Sequence, residues 1–548
     1  MAANDTGSPG LTRALQAAAS PRRGTLPASY ARSGARRERE RLARAGVAVA
    51  LGLLVAVLFF LWEFGKASGY TFSHWGLLGR SAGDDYDQGA YVVSAQLLNK
   101  GFALFRPVFS AQPAFFLPSL ALVLRLVHDP VAGGYIYEAL FGLATLLGVF
   151  VMAWSAYRPL AAPLAAAVLA VSPGFLLYAH AVEAEMPMVG LCTLSVAAAQ
   201  VYYLTGRRSM AALSGLLLMA GTEMKLLSVV FLPPLVLLLG AGVWRRYRAN
   251  RSLPAVLLDA LAFALCLAVP ALVVLGLFSP SEQLRQVVIF HLAAGKEPAD
   301  LASNIEALRT YLGYDLGLLL IAAAGAVVGL WVSRTRYLTL VYALWFLGTL
   351  AFLWRYHPLF QHQFAPLMPP LALLGAGLSA AIGRRSPRPA TGMAWTDFVA
   401  PAGPSRLALL GAGLLAAAYL GITIVRTLPI NDHLFAHPVT PNRDRLIAMV
   451  QRTTRPGDFI VADDPMIALL SGRLMPPEMG DPSRVRTTAG YLTVGDAIKA
   501  TEQYHPAAII ASRPMFAIYL QGYLTWARAH YRTASSPVPG AEVYLRPQ

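Results

Sequence analysis

Twelve apolar runs separated by short loops limit this chain more than any other feature. They lie near 45–62, 112–127, 132–155, 159–178, 186–204, 209–222, 225–243, 254–278, 314–332, 337–354, 364–382 and 406–425. A helix needs roughly 20 apolar residues to cross a bilayer, and inside it every backbone N–H and C=O must be satisfied within the segment. Most of the runs are of that order. Hydrophobic residues make up 56% of the 548, charged residues only 14%, and the mean hydropathy is +0.51. A soluble chain of this size carries more charge. The expected fold class is therefore a polytopic α-helical membrane protein.

The formal net charge is +16. A basic balance can signal nucleic acid, but here the cations sit in clusters between apolar runs, which is the pattern of cytoplasmic loops. The clusters are "RRERERLAR" before the first run, "GRR" at 206–208, "WRRYRANR" at 244–251, "SRTR" at 333–336 and "GRRSPR" at 383–388, and Arg158 fits with them. With these in the cytoplasm, the loops around 83–110, 179–185, 279–313 and 355–363, and everything after 426, face outward. No nucleic-acid partner is expected. The usage of Ala, Leu, Arg and Pro points to a GC-rich bacterial genome, and so to a bacterial cytoplasmic (inner) membrane. The cysteines, Cys192 and Cys266, both lie in apolar runs and suggest neither a disulfide framework nor a thiolate metal site.

Residues 1–44 are polar and Arg-rich. They are too long for the leading region of a signal peptide, and the apolar run after them is too long for its core. They are expected to form a disordered basic cytoplasmic arm before a retained first span. Such an arm sets topology, or binds anionic lipid or a partner. The topology closes only if one run fails to cross. The segment 112–127, "QPAFFLPSLALVLRLV", is short, contains Pro118 and holds Arg125 near its end. Read as re-entrant or interfacial, it leaves about eleven spans over 45–425. The alternative is that it crosses and a later short run, such as 209–222, does not.

After Arg426 the texture changes. "GDFIVADDP", "PAAIIASRP" and "EVYLRP" are short β-rich stretches bounded by turn residues. They alternate with the helical patterns "RDRLIAMVQRTT" and "VGDAIKATEQY". Residues 426–548 are expected to form a small extracytoplasmic α/β domain that caps the membrane domain. It holds no glycine-rich phosphate loop, CxxC or HExxH pattern.

Several polar residues fall on the expected outer face. Asp84, Asp85 and Asp87 stand within four positions in "GDDYDQGAYVVSAQLL". If "YDQGAYVVSAQLLNKG" is helical, Tyr91, Ala95 and Leu98 share a face, and Asp87 and Gln88 occupy the first turn, where negative charge is favoured. The acids then either cap a helix or carry chemistry. Glu183 and Glu185 precede a span, with Pro187 suited to a first helical turn. A carboxylate at a membrane edge is costly unless paired or working, although a solvated loop acid reads equally well. Glu223 and Lys225 interrupt continuous apolar sequence. They either satisfy each other or serve an anionic substrate, with Lys225 on its phosphate. "WRYHPLFQHQFAPLMPP" brings Arg355, His357, His362 and Gln363. Arginine suits phosphate because its planar fork donates two bonds. Two histidines five apart are a weak metal signal, and no metal ligands are assigned from them.

"DQGAYVVSAQLLNKGFALFRPVFSAQPAFF" resembles the first outer loop of the GT-C membrane glycosyltransferases, and in particular family 39, which includes protein O-mannosyltransferases and lipid A aminoarabinose transferases. That loop runs Asp-Glu-Gly-x-Tyr, an amphipathic helix, then a Lys-Pro-Pro-type motif. Here the counterparts are Asp87-Gln88-Gly89-Ala90-Tyr91 and Gln112-Pro113-Ala114. "EAEMP" is similar to the family's second acidic motif, "GTEMKLLSVVFLPPLVLLL" to its Thr-Lys segment and Pro-broken span, and "HPLFQHQFAPLMPPLALLGAG" to its late outer loop. The likeness covers roughly 45–425, and bacterial members also carry a trailing α/β domain. Gln88 departs from the family's second acid and Gln112 from its lysine.

The resemblance implies an inverting glycosyltransferase. A polyprenyl-phosphate sugar would be the donor, and a lipid, glycan or protein hydroxyl or amine the acceptor, on the extracytoplasmic side among membrane lipids. Asp87 would be the catalytic base, with Asp85, Asp84, Glu183 and Glu185 as rival or supporting carboxylates. Lys225, Arg355, His357 and His362 would bind the donor phosphate, and Gln88, Tyr91 and Gln112 would position substrate. The segment 281–297 would gate entry. A divalent cation is the one cofactor the family leaves open. Two competing readings are a secondary transporter, which usually shows repeat symmetry and midplane sites, and a non-catalytic scaffold in envelope assembly.

Overall fold

Proline placed just inside a helix start, after a side chain that accepts the first free N–H groups, is a recurrent device along this chain. Asp129 accepts from Val131 and Ala132 ahead of Pro130, Ser172 from Phe175 ahead of Pro173, Ser252 from Ala255 ahead of Pro254, and Asp464 from Met466 ahead of Pro465. Each cap satisfies N–H groups that the helix itself leaves unpaired, and proline has no N–H to lose there. These caps fix where successive helices begin in the computed structural model, which describes residues 46–47, 49–65, 86–157, 159, 161–294, 301–357, 359–381, 414, 418–419, 421–434 and 441–547. The basic arm, Asp84, Asp85 and most of the run 406–425 lie outside the described residues.

The helices are α1 Val49–Gly65, α2 Tyr86–Asn99, α3 Phe116–Leu126, α4 Pro130–Ala156, α5 Ala161–Ala170, α6 Pro173–Ala179, α7 Glu185–Thr205 and α8 Arg208–Thr222. A 3-10 turn, Leu226–Phe231, leads into α9 Leu232–Asn250, followed by α10 Leu253–Leu277. Short α and π pieces over 280–294 form α11. Then come α12 Leu301–Tyr314, α13 Leu316–Trp331 and α14 Arg336–Arg355. The 3-10 turn Gln361–Leu367 opens α15 Met368–Ala376, and α16 is Leu428–Leu434.

The chain is a mostly helical, multi-pass membrane protein. Among the described residues, five helices are long and apolar enough to cross a bilayer: α4, α7, Leu226–Asn250, α10 and α14. The pairs α5/α6, bent by 67°, and α12/α13, bent by 86°, raise the number to seven if each pair is one broken span. The eleven or so expected from sequence include further runs. The run 45–62 gives a helix of 17 described residues and 209–222 gives one of 15, while 364–382 divides into 3-10 and α pieces and 406–425 is largely undescribed. Apolar content alone does not reveal where backbone geometry breaks a run. The helix within 112–127, α3, has 11 residues. At 1.5 Å per residue it rises about 16 Å, roughly half a hydrocarbon core.

The helices α4, α7, α8 and α10 pack in that order, side by side. Near the C-terminus, α17 Pro441–Thr453, β1 Ile460–Ala462, α18 Pro465–Ser471, α19 Arg484–Thr488, α20 Val494–Tyr504, β2 Ala508–Ala511, α21 Pro514–Tyr519, α22 Gln521–His530, β3 Arg532–Ala534 and β4 Glu542–Leu545 build a small α/β layer. Its sheet is mixed, in the order β1-β2-β4-β3. Ile460 pairs with Ala508 in parallel, and β4 runs antiparallel to both β2 and β3. The three strands expected from sequence are present. The edge strand β3 is an addition: two of its residues are exposed and the third half-buried, so it lacks the apolar run that marks the others.

Candidate functional site

Helix α2 begins at Tyr86 and carries Asp87 in its first turn, where the helix dipole favours a carboxylate. Its buried face, including Val92, Val93 and Leu97, packs into the core, and Asp87 stays half-buried at the rim. The loop after α2 returns alongside it. Ser110 closes that loop on Gln112, donating to its carbonyl at 2.8 Å and accepting from its N–H at 3.1 Å. Gln112 Nε2 then donates to the Tyr91 hydroxyl at 3.0 Å. Tyr91 also meets the Phe116 ring edge-on at 5.0 Å. Burial, then the charge of Asp87, pushes the Tyr91 phenol well above its usual range, so it remains a hydroxyl.

Glu183 and Glu185 enter from the short link between α6 and α7, with Glu185 in the first turn of α7. Both are buried. The Glu183 N–H donates to Glu138 Oε1 at 3.2 Å, which fixes the link against α4. Lys225 stands in the break after α8 in extended backbone, and its ammonium donates to Glu185. His362 comes from the 3-10 turn before α15, a turn closed by the Phe360 N–H donating to Gln363 at 3.0 Å. Its Nδ1 lies 2.8 Å from Glu183 and its Nε2 3.2 Å from Glu185. An imidazole with a carboxylate at each nitrogen donates to both only when it carries two protons.

The charges do not cancel. Asp87, Glu183 and Glu185 face Lys225 and, when protonated, His362. Burial raises the Glu183 carboxyl well above the usual carboxylate range, and the charges of Glu185 and Asp87 add to it while Lys225 opposes. Burial alone would lower Lys225, but the Glu185 carboxylate overrides it and holds the ammonium charged. Glu183 Oε2 is the oxygen that meets His362 Nδ1 at 2.8 Å. Oxygens of Asp87 and Glu183 and a nitrogen of His362 all lie within 4.8 Å of one another. Two carboxyl groups and one imidazole form a donor set suited to zinc or another first-row divalent ion, and a cation there would favour the ionised form of Glu183. Sequence reasoning assigned no such set, because its three members come from distant parts of the chain.

Other expected site residues lie apart. Gln88 is buried on α2, and the Tyr135 hydroxyl donates to it at 3.4 Å. Arg355 is exposed on the last turn of α14, 6.0 Å from the Trp354 ring, and has no contact with the acids among the described residues. His357 is half-buried two residues on. Between them Tyr356 senses the charges of Lys225 and Glu185, and burial raises its phenol. Glu223 does not pair with Lys225. Its carbonyl accepts from the Phe115 N–H at 3.2 Å on the approach to α3, and burial raises its carboxyl while the Ala114 N–H opposes. Asp84 and Asp85 lie outside the described residues. Two supporting residues were missed, Glu138 and Tyr356. A lone carboxylate inside the apolar run 132–155 was the available signal for Glu138. Tyr356 had none.

No protein-family model matches the chain, and no curated protein matches it in sequence. Solved structures do. ArnT from Cupriavidus metallidurans bound to undecaprenyl phosphate superposes with a TM-score of 0.59 at 15% identity, covering 91% of this chain and 99% of that one. The apo state of the same protein gives 0.56 at 14%, covering 92% and 100%. The Archaeoglobus fulgidus oligosaccharyltransferase is a looser match, 0.48 at 13%, covering 88% of this chain and 73% of the other. The chain has an ArnT-like fold.

Proposed function

We propose that this protein is an inverting glycosyltransferase that moves a sugar from a polyprenyl-phosphate donor to an acceptor hydroxyl or amine at the outer face of a bacterial cytoplasmic membrane. One observation carries the reading. Asp87, the half-buried carboxylate, stands beside a buried group of Glu183, Glu185, Lys225 and His362 at one end of an ArnT-like bundle. A group reached from solvent on one side and lined by fixed charges on the other suits transfer between a lipid and a water-borne acceptor.

In this reading Asp87 takes the acceptor proton as the acceptor oxygen or nitrogen bonds to the anomeric carbon. The bond from that carbon to the phosphate oxygen breaks, its electron pair leaves with polyprenyl phosphate, and the configuration inverts. A placed general base contributes about 10²–10⁴-fold. Asp87 suits the role better than Glu183 or Glu185 because both of these are buried and Asp87 is half-buried. Asp84 and Asp85 stay as rivals. Lys225 is the cation assigned to the leaving phosphate, with Arg355 and His357 flanking Tyr356 nearby. Charge fixed in a water-poor site is often the largest catalytic contribution. Gln112 holds the Tyr91 hydroxyl where a sugar hydroxyl can meet it. Asp87, Glu183 and His362 would hold a divalent cation, which when bound supplies positive charge near the phosphate. Through their hold on Glu183, His362 and Glu138 keep the second carboxylate in place.

The test is turnover of purified protein on a panel of polyprenyl-phosphate sugars with membrane extract as acceptor source, alongside Asp87→Asn. Release of polyprenyl phosphate by the wild type and not by the variant supports the transferase. No release from any donor rejects it in favour of a transporter or a scaffold.

A further inference from the structure

The segment "FIVADDPMIALL" carries two adjacent acids that the proposed chemistry does not use. Strand β1 delivers them to the top of the sheet. Asp463 accepts from the Ser512 N–H at 2.8 Å, from its hydroxyl at 3.1 Å and from the Arg513 N–H at 2.9 Å. Asp464 caps α18, accepting from the Met466 N–H at 3.1 Å, and its other oxygen lies 3.2 Å from Arg513 Nε. The two acids thus lock the start of α18 to the loop after β2.

That helix start rests on α2. A Cβ placed on Gly89 would sit 2.5 Å from the Met466 nitrogen and 2.9 Å from the Pro465 carbonyl carbon. Those are backbone atoms, which cannot swing aside, so the approach requires glycine. Gly89 is two residues beyond Asp87. One residue before Asp87, the Tyr86 hydroxyl donates to Asp481 at 3.3 Å, and the Arg513 guanidinium lies 5.8 Å from the Tyr86 ring. The C-terminal α/β layer therefore grips the first turn of α2 on both sides of Asp87.

We propose that the C-terminal α/β domain positions the Asp87 carboxylate through this grip, with Tyr86, Gly89 and Asp481 as positioning residues rather than catalytic ones. The proposal rests on the reading of Asp87 as general base. Held this way, membrane helices and α/β layer form one working unit, and the layer is part of the active site without touching substrate.

The experiment compares full-length wild type, Gly89→Ala, Asp481→Ala and Asp481→Asn in lipid nanodiscs. Amide hydrogen exchange is read over 86–99, and kcat and donor KM are read separately. A misplacement of about 1 Å can cost on the order of 10²-fold. Gly89→Ala is expected to speed exchange in the first turn of α2 and to lower kcat by about ten- to a hundredfold, with donor KM unchanged. Asp481→Ala moves both in the same direction by less. Asp481→Asn, whose amide oxygen still accepts from Tyr86, restores both. If Gly89→Ala does not fold, the Asp481 pair decides alone. Unchanged exchange in α2, or faster exchange spread evenly over the chain, overturns the proposal. So does a kcat loss that Asp481→Asn shares. A wild type that turns over no donor rejects the catalytic reading of Asp87, while the exchange data still decide whether the grip exists.

Discussion

Two ion clusters in this molecule differ in the balance of acids and cations. The first lies between α7, α8, α9 and α10. Asp259 takes Arg208 Nε on one oxygen at 2.9 Å, and the Tyr202 hydroxyl at 2.9 Å and Arg246 at 3.0 Å on the other. One acid faces two guanidiniums and a phenol, and both of its oxygens are used. The second is the Asp87 group, where three carboxyl groups face one ammonium and one imidazole and Asp87 stands half-buried at the rim. A carboxylate outnumbered by its donors fastens helices together. A cluster with more carboxyl groups than cations and one of them at the rim is equipped to receive something.

Substitutions can break or sharpen this contrast. The largest expected effect is that of Asp87→Asn: turnover falls by about 10²–10⁴-fold with no change in thermal stability, measured as polyprenyl phosphate released beside a melting curve. Lys225→Ala comes next. It removes the cation assigned to the phosphate and leaves Glu185 buried without its ammonium, so turnover should fall by about 10²-fold and the melting temperature should fall with it. A Lys225→Ala protein with full turnover would remove Lys225 from the chemistry. Asp259→Asn should do the opposite, costing about 3 kcal/mol of stability while each folded molecule turns over at the wild-type rate. Divalent-ion titration monitored by calorimetry should show one site in the wild type, weakened at least about tenfold in His362→Ala. Smallest is Glu223→Gln, since the amide oxygen can still accept from Ala114. Turnover and stability should both stay near wild type, and a large loss would place Glu223 in the chemistry.

The two clusters were unequally legible in the sequence. Glu183, Glu185 and Lys225 stood out because charge inside apolar sequence is costly, and that physics needs no third dimension. Their pairing did not show. Lys225 lies two residues from Glu223, and only the turn of the chain after α8 carries its ammonium to Glu185 instead. The cation-ready set of Asp87, Glu183 and His362 joins three separate elements, and no local spacing encodes it. Arg355 looked equivalent to Lys225 in composition and differs by facing outward from the end of a helix. The α/β layer was readable because strands and caps are local patterns. Where apolar runs break was not readable, because proline and capping side chains interrupt them at places that hydrophobicity does not mark.

Helix α10 shows what such a fastening means for how the protein is made. It is the most apolar of the candidate spans, and none of its apolar window is buried inside the bundle. Its buried residues are Val256 and Asp259. It is joined to α8 where a Cβ on Gly215 would come 2.3 Å from the Phe263 carbonyl oxygen, so the two backbones nearly touch. A segment this apolar is stable in lipid without partners, so it can enter the bilayer during synthesis as an independent unit and dock afterwards. Asp259 adds a polar latch to that close backbone contact by reaching the guanidiniums of Arg208 and Arg246. A chain lacking this carboxylate is expected to insert normally and to hold α10 less firmly in the bundle.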